Sequence, residues 1–355
     1  MVGSRGATRD LGTVQASGGR SLDCASRASS GWVRGRRGGD DRGQLHGTIG
    51  GGETDAVIAE LRLLGRGGEP IDLGRTLASH GVAALPPNRV DVMSRTLETT
   101  LSIGPGEARS VRVSAGTGAT ALVAVTDGPV GAAEADELAR LVRHMLRLDE
   151  DLSGFYAVAG ADPRLAWATS GAGRMLRGAT VFEDVVKTIC TTNCAWSATE
   201  RMVGALVQHL GTAGPGGGRA FPSPAAMAAA SDGFYRDVVR AGYRGGYMTK
   251  LAGAVAGGEL DLEGLTDPAI PDDEVEARLL RLPGVGPYAA AHVMLVSLGR
   301  YGLLVLDSWT RPTYAAITGR PASDVAIRRG FRRYGKFAGL AFWLLLTRDW
   351  VTDPG

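Results

Sequence analysis

Two textures follow one another along the chain. Between Ile71 and Thr126 apolar and polar residues alternate in short runs, Arg95–Ile103, Val111–Ala115 and Ala119–Thr126. Gly104-Pro105-Gly106 separates the first two, and Asp127-Gly128-Pro129 closes the last. A period of two between turn residues predicts three or more antiparallel strands. Asp72–His80, just ahead of them, reads as a short helix. From Ala133 onward apolar residues recur at helical spacing, and the breaks fall where Gly and Pro cluster. The predicted helices are 133–148, 151–160, 162–168, 180–194 with a continuation to about 210, 223–230, 231–241, 245–257, 272–282, 287–299, 308–317 and 322–347. Gly211–Pro222 is rich enough in Gly to read as a mobile loop. The expected fold is mainly α, a large all-helical domain over 133–355 behind a small antiparallel β domain over 69–132.

The chain before residue 69 has a different composition. Its first fifty residues hold twelve Gly and eight Arg with few aliphatic residues. Such a stretch cannot bury enough surface to offset ordering entropy, so a disordered Gly/Arg-rich tail is expected over 1–68. Within it, 54–64 reads as one short helix and Gly65-Arg66-Gly67-Gly68 as a linker.

One local pattern carries chemistry. A helix over Asp272–Arg281, with Val275, Leu279 and Leu282 at helical spacing, runs into Leu282-Pro283-Gly284-Val285-Gly286. Pro287 then suits the first turn of a second helix through Ala289, Val293 and Val296. Two helices joined so tightly need unusual backbone angles and close approach, which Gly284 and Gly286 are expected to supply. The N-terminus of the second helix then offers its amides and its dipole to a phosphate without reading base sequence. After a turn at Tyr301-Gly302 the apolar run Leu303–Leu306 leads straight into Asp307, which places this acid at the rim of the core. Asp307 followed by Ser308-Trp309-Thr310 is also how an ordinary helix cap begins, and the two readings are compatible.

The ordered set of Leu-Pro-Gly-Val-Gly hairpin, following helix, apolar run and Asp307 resembles the helix-hairpin-helix (HhH-GPD) DNA glycosylase superfamily. Thr180-Val-Phe-Glu-Asp-Val-Val-Lys-Thr-Ile-Cys-Thr-Thr-Asn193 and Gly242-Tyr243-Arg244 extend the resemblance toward its 8-oxoguanine and 3-methyladenine branches, over roughly residues 145–350. The resemblance implies a base-excision-repair enzyme whose carboxylate, here Asp307, stabilises the sugar cation that forms as the N-glycosidic bond breaks. It implies a duplex grip made by Leu282, Pro283, Gly284, Val285, Gly286 and Tyr288. It places Asn193 in the space left by a flipped nucleotide, and Tyr243 and Arg244 beside the orphaned base. Trp309 has the best positional claim among Trp309, Trp196, Trp167 and Phe182 to line a base pocket by stacking. As a bare tripeptide, Gly242-Tyr243-Arg244 reads more readily as a loop between helices, and its order after Asn193 and before the hairpin and Asp307 is what favours the functional role. In one branch an arginine follows the asparagine by five positions; Ala198 stands there instead, which implies a less strict demand for cytosine opposite the lesion.

Position 288 decides the subtype. Bifunctional members carry there the lysine that forms a Schiff base with the sugar, and Tyr288 cannot form that imine. A monofunctional hydrolase is expected. The alternatives are a glycosylase/lyase using Lys250 and a non-catalytic hairpin module, which would have no need of the acid after the apolar run.

Charge and cysteine content narrow the picture further. A net charge of +2 over 355 residues does not announce nucleic-acid binding, so basic surface has to be local. Residues 296–355 hold nine Arg or Lys against four Asp and no Glu. Three cysteines, Cys24, Cys190 and Cys194, exclude a disulfide scaffold and a four-cysteine iron–sulfur cluster. Cys190 and Cys194 read as buried thiols on one helix face, and no His or Cys set suggests a metal. No cofactor is expected. With no apolar run long enough for a membrane span, a monomeric, cytoplasmic, nucleoid-associated protein acting on damaged double-stranded DNA is expected.

Overall fold

The structure, a computed structural model, describes residues 55–320 and 322–351. The expectation for residues 1–54 falls outside the described residues. The alternating segment forms one antiparallel sheet of β1 (Ala56–Arg62), β2 (Arg89–Asp91), β3 (Thr96–Gly104), β4 (Glu107–Ala115) and β5 (Thr120–Val125), in the order β1-β5-β4-β3-β2. Between β1 and β2 lies α1 (Leu73–Leu77), capped by Asp72, whose side chain accepts from the Arg75 amide at 2.9 Å. Pro105-Gly106 joins β3 to β4, and Gly106 has φ +78°, the left-handed position a Pro-Gly turn supplies.

Two expectations near the start of the sheet are corrected. Residues 54–64 were expected to be helical, yet Ala56–Arg62 is a strand paired with β5 from Ala56↔Val125 to Arg62↔Thr120. Ala, Glu and Leu favour a helix only locally. The exposed edge of β5 offers backbone partners, and Ile58, Ala59 and Leu61 gain the sheet core. Gly65–Gly68 is not a linker but a tight turn, with the Gly65 amide donating to Glu69 O at 2.8 Å. The β layer therefore begins at Ala56 rather than at residue 69.

The rest is helical: α2 (Ala132–Met145), α3 (Ser153–Gly160), α4 (Val181–Thr191), α5 (Trp196–Leu210), α6 (Pro224–Ala229), α7 (Arg244–Ala256), α8 (Asp272–Leu280), α9 (Pro287–Val296), α10 (Thr310–Thr318), α11 (Asp324–Phe331) and α12 (Ala338–Thr347). The helix expected over 180–194, with its continuation to about 210, stops at Thr191: Thr192 is extended, Asn193 takes a left-handed φ of +47°, and the chain resumes helical form only at Trp196. Cys194 therefore lies in the turn and not on a helix face beside Cys190; its Sγ donates to Cys190 O at 3.2 Å.

Gly211–Pro222, expected to be mobile, is a small hairpin with Ala213 bridged to Arg219 and the Gly214 amide donating to Gly218 O at 2.8 Å. It lies against the sheet. A Cβ on Gly218 would come within 2.4 Å of Thr100 Oγ1 and 2.6 Å of Ser110 Oγ, so glycine here serves close approach rather than motion.

Three apolar clusters hold the molecule. The sheet contributes Leu97, Leu101, Val111, Val113 and Val123, and these are covered by Leu138, Val142 and Met145 of α2 together with Leu176. A second cluster joins α4, α5, α7, α8 and α9. The third packs α12 against Leu304–Leu306, Tyr314 and Phe331. Tyr288 and Leu303 touch both helical clusters, which puts the seam between them beside the hairpin.

Candidate active site

The hairpin is anchored from below and open above. Leu282 and Val285 are buried in the second cluster with Ala289, Val293 and Met294, so these two hairpin residues act through their backbone and not through exposed side chains. Gly284 has φ +81°, and a Cβ there would meet the Tyr247 ring at 2.8 Å. Both observations require glycine. The parallel expectation for Gly286 does not hold: its φ is −103°, and a Cβ at this position would have no neighbour within 4 Å. Gly286 caps α9 without a side-chain hydrogen bond, and Pro287 follows at the first turn. What glycine leaves at 286 is open space over an uncapped helix start, the arrangement that admits a phosphate.

That difference predicts separable effects. Gly286→Val should fold with unchanged Tm and bind damaged and undamaged duplex equally weakly, since the valine obstructs a grip on phosphate. A loss confined to damaged duplex in a gel-shift titration would contradict it.

Asp307 sits at the end of the buried run Leu304–Leu306. Its Oδ1 accepts from the amides of Trp309 at 2.9 Å and Thr310 at 2.7 Å, while the Thr310 hydroxyl accepts from the Asp307 amide at 2.8 Å. This is a reciprocal cap, so the bland reading of Asp307 is present in the structure. It occupies one carboxylate oxygen. Oδ2 accepts nothing from the described residues, and the side chain is only partly buried. The cap amides therefore fix the carboxylate's direction and leave its second oxygen unengaged among the described residues.

Tyr288 links this acid to the hairpin. Its phenol bonds Thr191 Oγ1 at 3.3 Å, and burial pushes its pKa up to about 12, with the nearby Asp307 charge adding to the rise. Tyr288 thus stands between Asp307 and the end of α4, with its phenol turned inward. Behind it, His292 is buried against Tyr288 (ring centroids 5.9 Å), His80 (5.9 Å) and Trp343 (6.4 Å). Burial lowers the His292 pKa to about 4 and the His80 pKa to about 3, so both rings are neutral at pH 7. His80 Nε2 lies 2.6 Å from Leu176 O, which makes it the protonated nitrogen.

Trp309 packs on Trp343 at 5.8 Å and on Trp350 at 5.5 Å, and Trp343 Nε1 donates to Ser79 O at 2.8 Å. Of the four aromatic candidates, Trp309 is in this cluster beside Asp307. Phe182 is core, edge-on to Phe221. Trp196 hydrogen-bonds Glu200 at 3.0 Å, and Trp167 lies under the Arg75 guanidinium at 4.7 Å. Trp343 and Tyr247 had no place in the sequence-based expectations, and His292 was expected only on the helix after the hairpin, outside any triad or metal set. Trp343 lies inside an unbroken apolar run, where nothing in the sequence separates an indole packed on Trp309 from the rest of the core.

The third part of the site is the turn after α4. Asn193 Nδ2 donates to the Tyr243 hydroxyl at 3.4 Å, and Tyr243 is 56% exposed. Tyr243 meets Tyr247 edge-on at 5.8 Å, and Tyr247 in turn covers Gly284. Asn193, Tyr243 and the hairpin therefore share one continuous edge. Arg244 needs correction. It is 7% exposed, with Nε on Thr192 Oγ1 at 3.3 Å, Nη1 on Ala241 O at 3.4 Å and Nη2 on Thr192 O, and its guanidinium lies 4.6 Å from the Tyr243 ring. The fork expected to reach an orphaned base is engaged with backbone carbonyls; it holds the Asn193 turn and supports Tyr243 from beneath. Among the described residues no three His, Cys, Asp or Glu side chains are grouped as metal ligands would be, and no helix is long and apolar enough to cross a membrane.

No protein-family profile matches the chain, and no curated protein does. Solved structures do. The 3-methyladenine DNA-glycosylase of Archaeoglobus fulgidus superposes with a TM-score of 0.64 at 19% identity, over 84% of this chain and 100% of that one. The 8-oxoguanine glycosylase/lyase of Clostridium acetobutylicum in its apo form gives 0.62 at 19% identity, over 79% and 94%. The same enzyme in complex with double-stranded DNA containing cytosine opposite 8-oxoG gives 0.61 at 19%, over 80% and 94%. The chain has the fold of these proteins, helical body and antiparallel sheet together, as the hairpin and Asp307 implied.

Proposed function

We propose that the chain is a monofunctional DNA glycosylase of base excision repair. It binds duplex DNA through the 282–286 hairpin and the α9 N-terminus, fills the gap left by a flipped nucleotide with Asn193 and Tyr243, and hydrolyses the N-glycosidic bond beside Asp307. One observation supports the reading: a carboxylate whose Oδ1 is held by two amides while Oδ2 stays unengaged, close to Tyr288 in the first turn of a helix that has no side-chain cap. Charge fixed in that way stabilises an oxocarbenium-like sugar without reorganising, and can orient the attacking water. The flipped base would lie by Trp309 and Trp343, where aromatic faces replace the stacking it leaves behind. The chemistry calls on no cofactor, and the enzyme would work as a monomer on DNA in the cytoplasm.

The hydrolase reading rests on the lysines. Tyr288 stands at the position of the imine-forming residue, Lys187 is buried in a 2.7 Å ion pair with Glu183, and Lys250 is exposed on α7. An imine needs a neutral amine within reach of the sugar's C1′, and Lys250 is the only alternative that α7 offers.

The test is a panel of duplexes, each with a single lesion, incubated with the protein and then treated with alkali to cleave abasic sites. At least one duplex should be cut after alkali and none before it. Borohydride added during turnover should leave no protein–DNA adduct. No cutting on any lesion refutes the glycosylase reading. An adduct that disappears in Lys250→Gln refutes the hydrolase and establishes the lyase.

A further inference from the structure

We propose a second duplex-binding surface, formed by Arg328 and Arg329 of α11 and by Arg332 and Lys336 in the turn that follows it, that grips DNA phosphates outside the hairpin. The inference rests on the reading of duplex DNA as partner and assigns residues which that reading leaves unused.

A short run of contacts places the surface. Arg311 lies one turn beyond Asp307, its amide donating to Asp307 O at 3.4 Å. Its side chain crosses to the first residue of α11, with Nε on Asp324 Oδ1 at 2.7 Å and Nη2 on Asp324 Oδ2 at 3.2 Å. Arg328 follows one turn along α11, near enough to help hold the Asp324 carboxyl below its usual range after Arg311. Asp307 therefore neighbours both Tyr288 in the first turn of α9 and, through Arg311, the start of α11.

Packing sets which face of α11 looks outward. Ile327 and Phe331 are buried four residues apart, and the Phe331 ring meets Tyr314 and Phe342 edge-on and Tyr334 at a tilt. Arg328, Arg329 and Arg332 fall on the opposite face and are exposed, as is Lys336 beyond the kink at Gly335. None of the four forms an ion pair among the described residues. The nearby acids are already engaged, Asp324 by Arg311, and Asp162 by Arg164 at 2.9 Å and by Arg333.

A helix face that merely stays solvated usually mixes both signs of charge. Here the one acid at the start of the face, Asp324, is taken by Arg311, and beyond it Arg328, Arg329, Arg332 and Lys336 follow with no further acid, like charges that a polyanion would neutralise. Arg328 and Arg332 stand about 6 Å apart along the axis, which matches roughly two phosphates of one strand. Long cationic side chains that reach phosphate add affinity without sequence preference, as a search over undamaged DNA requires.

The test compares the full-length wild type with Arg328→Gln/Arg329→Gln/Arg332→Gln, by fluorescence anisotropy on an undamaged duplex across salt from about 50 to about 200 mM. Arg140→Gln/Arg143→Gln, exposed cations on α2, is the control, and Tm verifies that each variant is folded. The slope of log affinity against log salt should become shallower by about 0.9 for each phosphate that the α11 variant no longer neutralises, and should not change in the control. An equal slope in all three proteins, an equal change in the control, or a difference seen only with single-stranded DNA overturns the surface. If the wild type releases no base from any lesion yet shows the slope difference, the glycosylase reading falls and the surface stands.

Discussion

Asp307→Asn should lower single-turnover base release by at least about a hundredfold, with duplex affinity nearly intact. Asparagine keeps the volume and an oxygen for the Trp309 and Thr310 amides, so the α10 cap survives. What disappears is the charge on the second oxygen, replaced by an amide that repels a developing sugar cation. Asp307→Ala removes the cap as well and should cost about 1 kcal/mol of stability in addition. Tm therefore separates the two roles: unchanged in the Asn variant, lower in the Ala variant. Base release at the wild-type rate from Asp307→Asn would take Asp307 out of the mechanism and leave it a cap.

Gly339→Ala should be among the most damaging methyl additions in the helical body. Its Cβ would lie 1.9 Å from the Leu303 carbonyl oxygen, 2.7 Å from the carbon behind it and 2.9 Å from Tyr301 O. Those are backbone atoms that cannot rotate away. They belong to the segment that delivers Asp307, and the Gly339 amide donates to Tyr301 O at 2.7 Å. Relief requires α12 to move off that segment, at about 3 kcal/mol or more. The expected signature is a Tm lower by roughly 5–10 °C, with base release impaired even well below it. Gly330→Ala supplies the contrast: inside α11, its Cβ meets only the Tyr314 hydroxyl at an ordinary 3.6 Å, and helix propensity favours Ala by about 1 kcal/mol. A Gly339 variant as stable as the Gly330 variant would mean that the packing of α12 on Leu303 yields easily.

What could be read in the sequence was whatever short-range chemistry fixes. Leu-Pro-Gly-Val-Gly between two helical periods, and an apolar run ending in Asp307, need only local spacing. The strands β3 to β5 announced themselves by alternation and Pro-Gly or Asp-Gly turns. Errors arose where a distant partner decides. Ala56–Arg62 is a strand because β5 has an edge to offer, and Gly211–Pro222 is ordered because the sheet lies beneath it. Thr192-Asn193-Cys194 contains no Gly or Pro, and the local signal for the break before α5 was the weaker one of Asn193, which takes the left-handed position there. Gly284 and Gly286 look alike in sequence; only Tyr247 over the first and empty space over the second tell them apart. Arg244 was misjudged for the same reason, since the carbonyls of Thr192 and Ala241 come to it through the folded turn.

The shared core of sheet and α2 bears on the order in which this chain can fold as it is made. Val125 completes the strands, but Leu138, Val142, Met145 and Leu176, which cover their inner face, are synthesised afterwards. At roughly 5–20 residues per second the apolar face of the sheet waits about 3–10 s after Val125 for Leu176. Until α2 is made Leu97, Leu101, Val111, Val113 and Val123 have no lid, and until Leu176 follows the lid is incomplete, so the nascent strands depend on whatever else in the cell shields such surface.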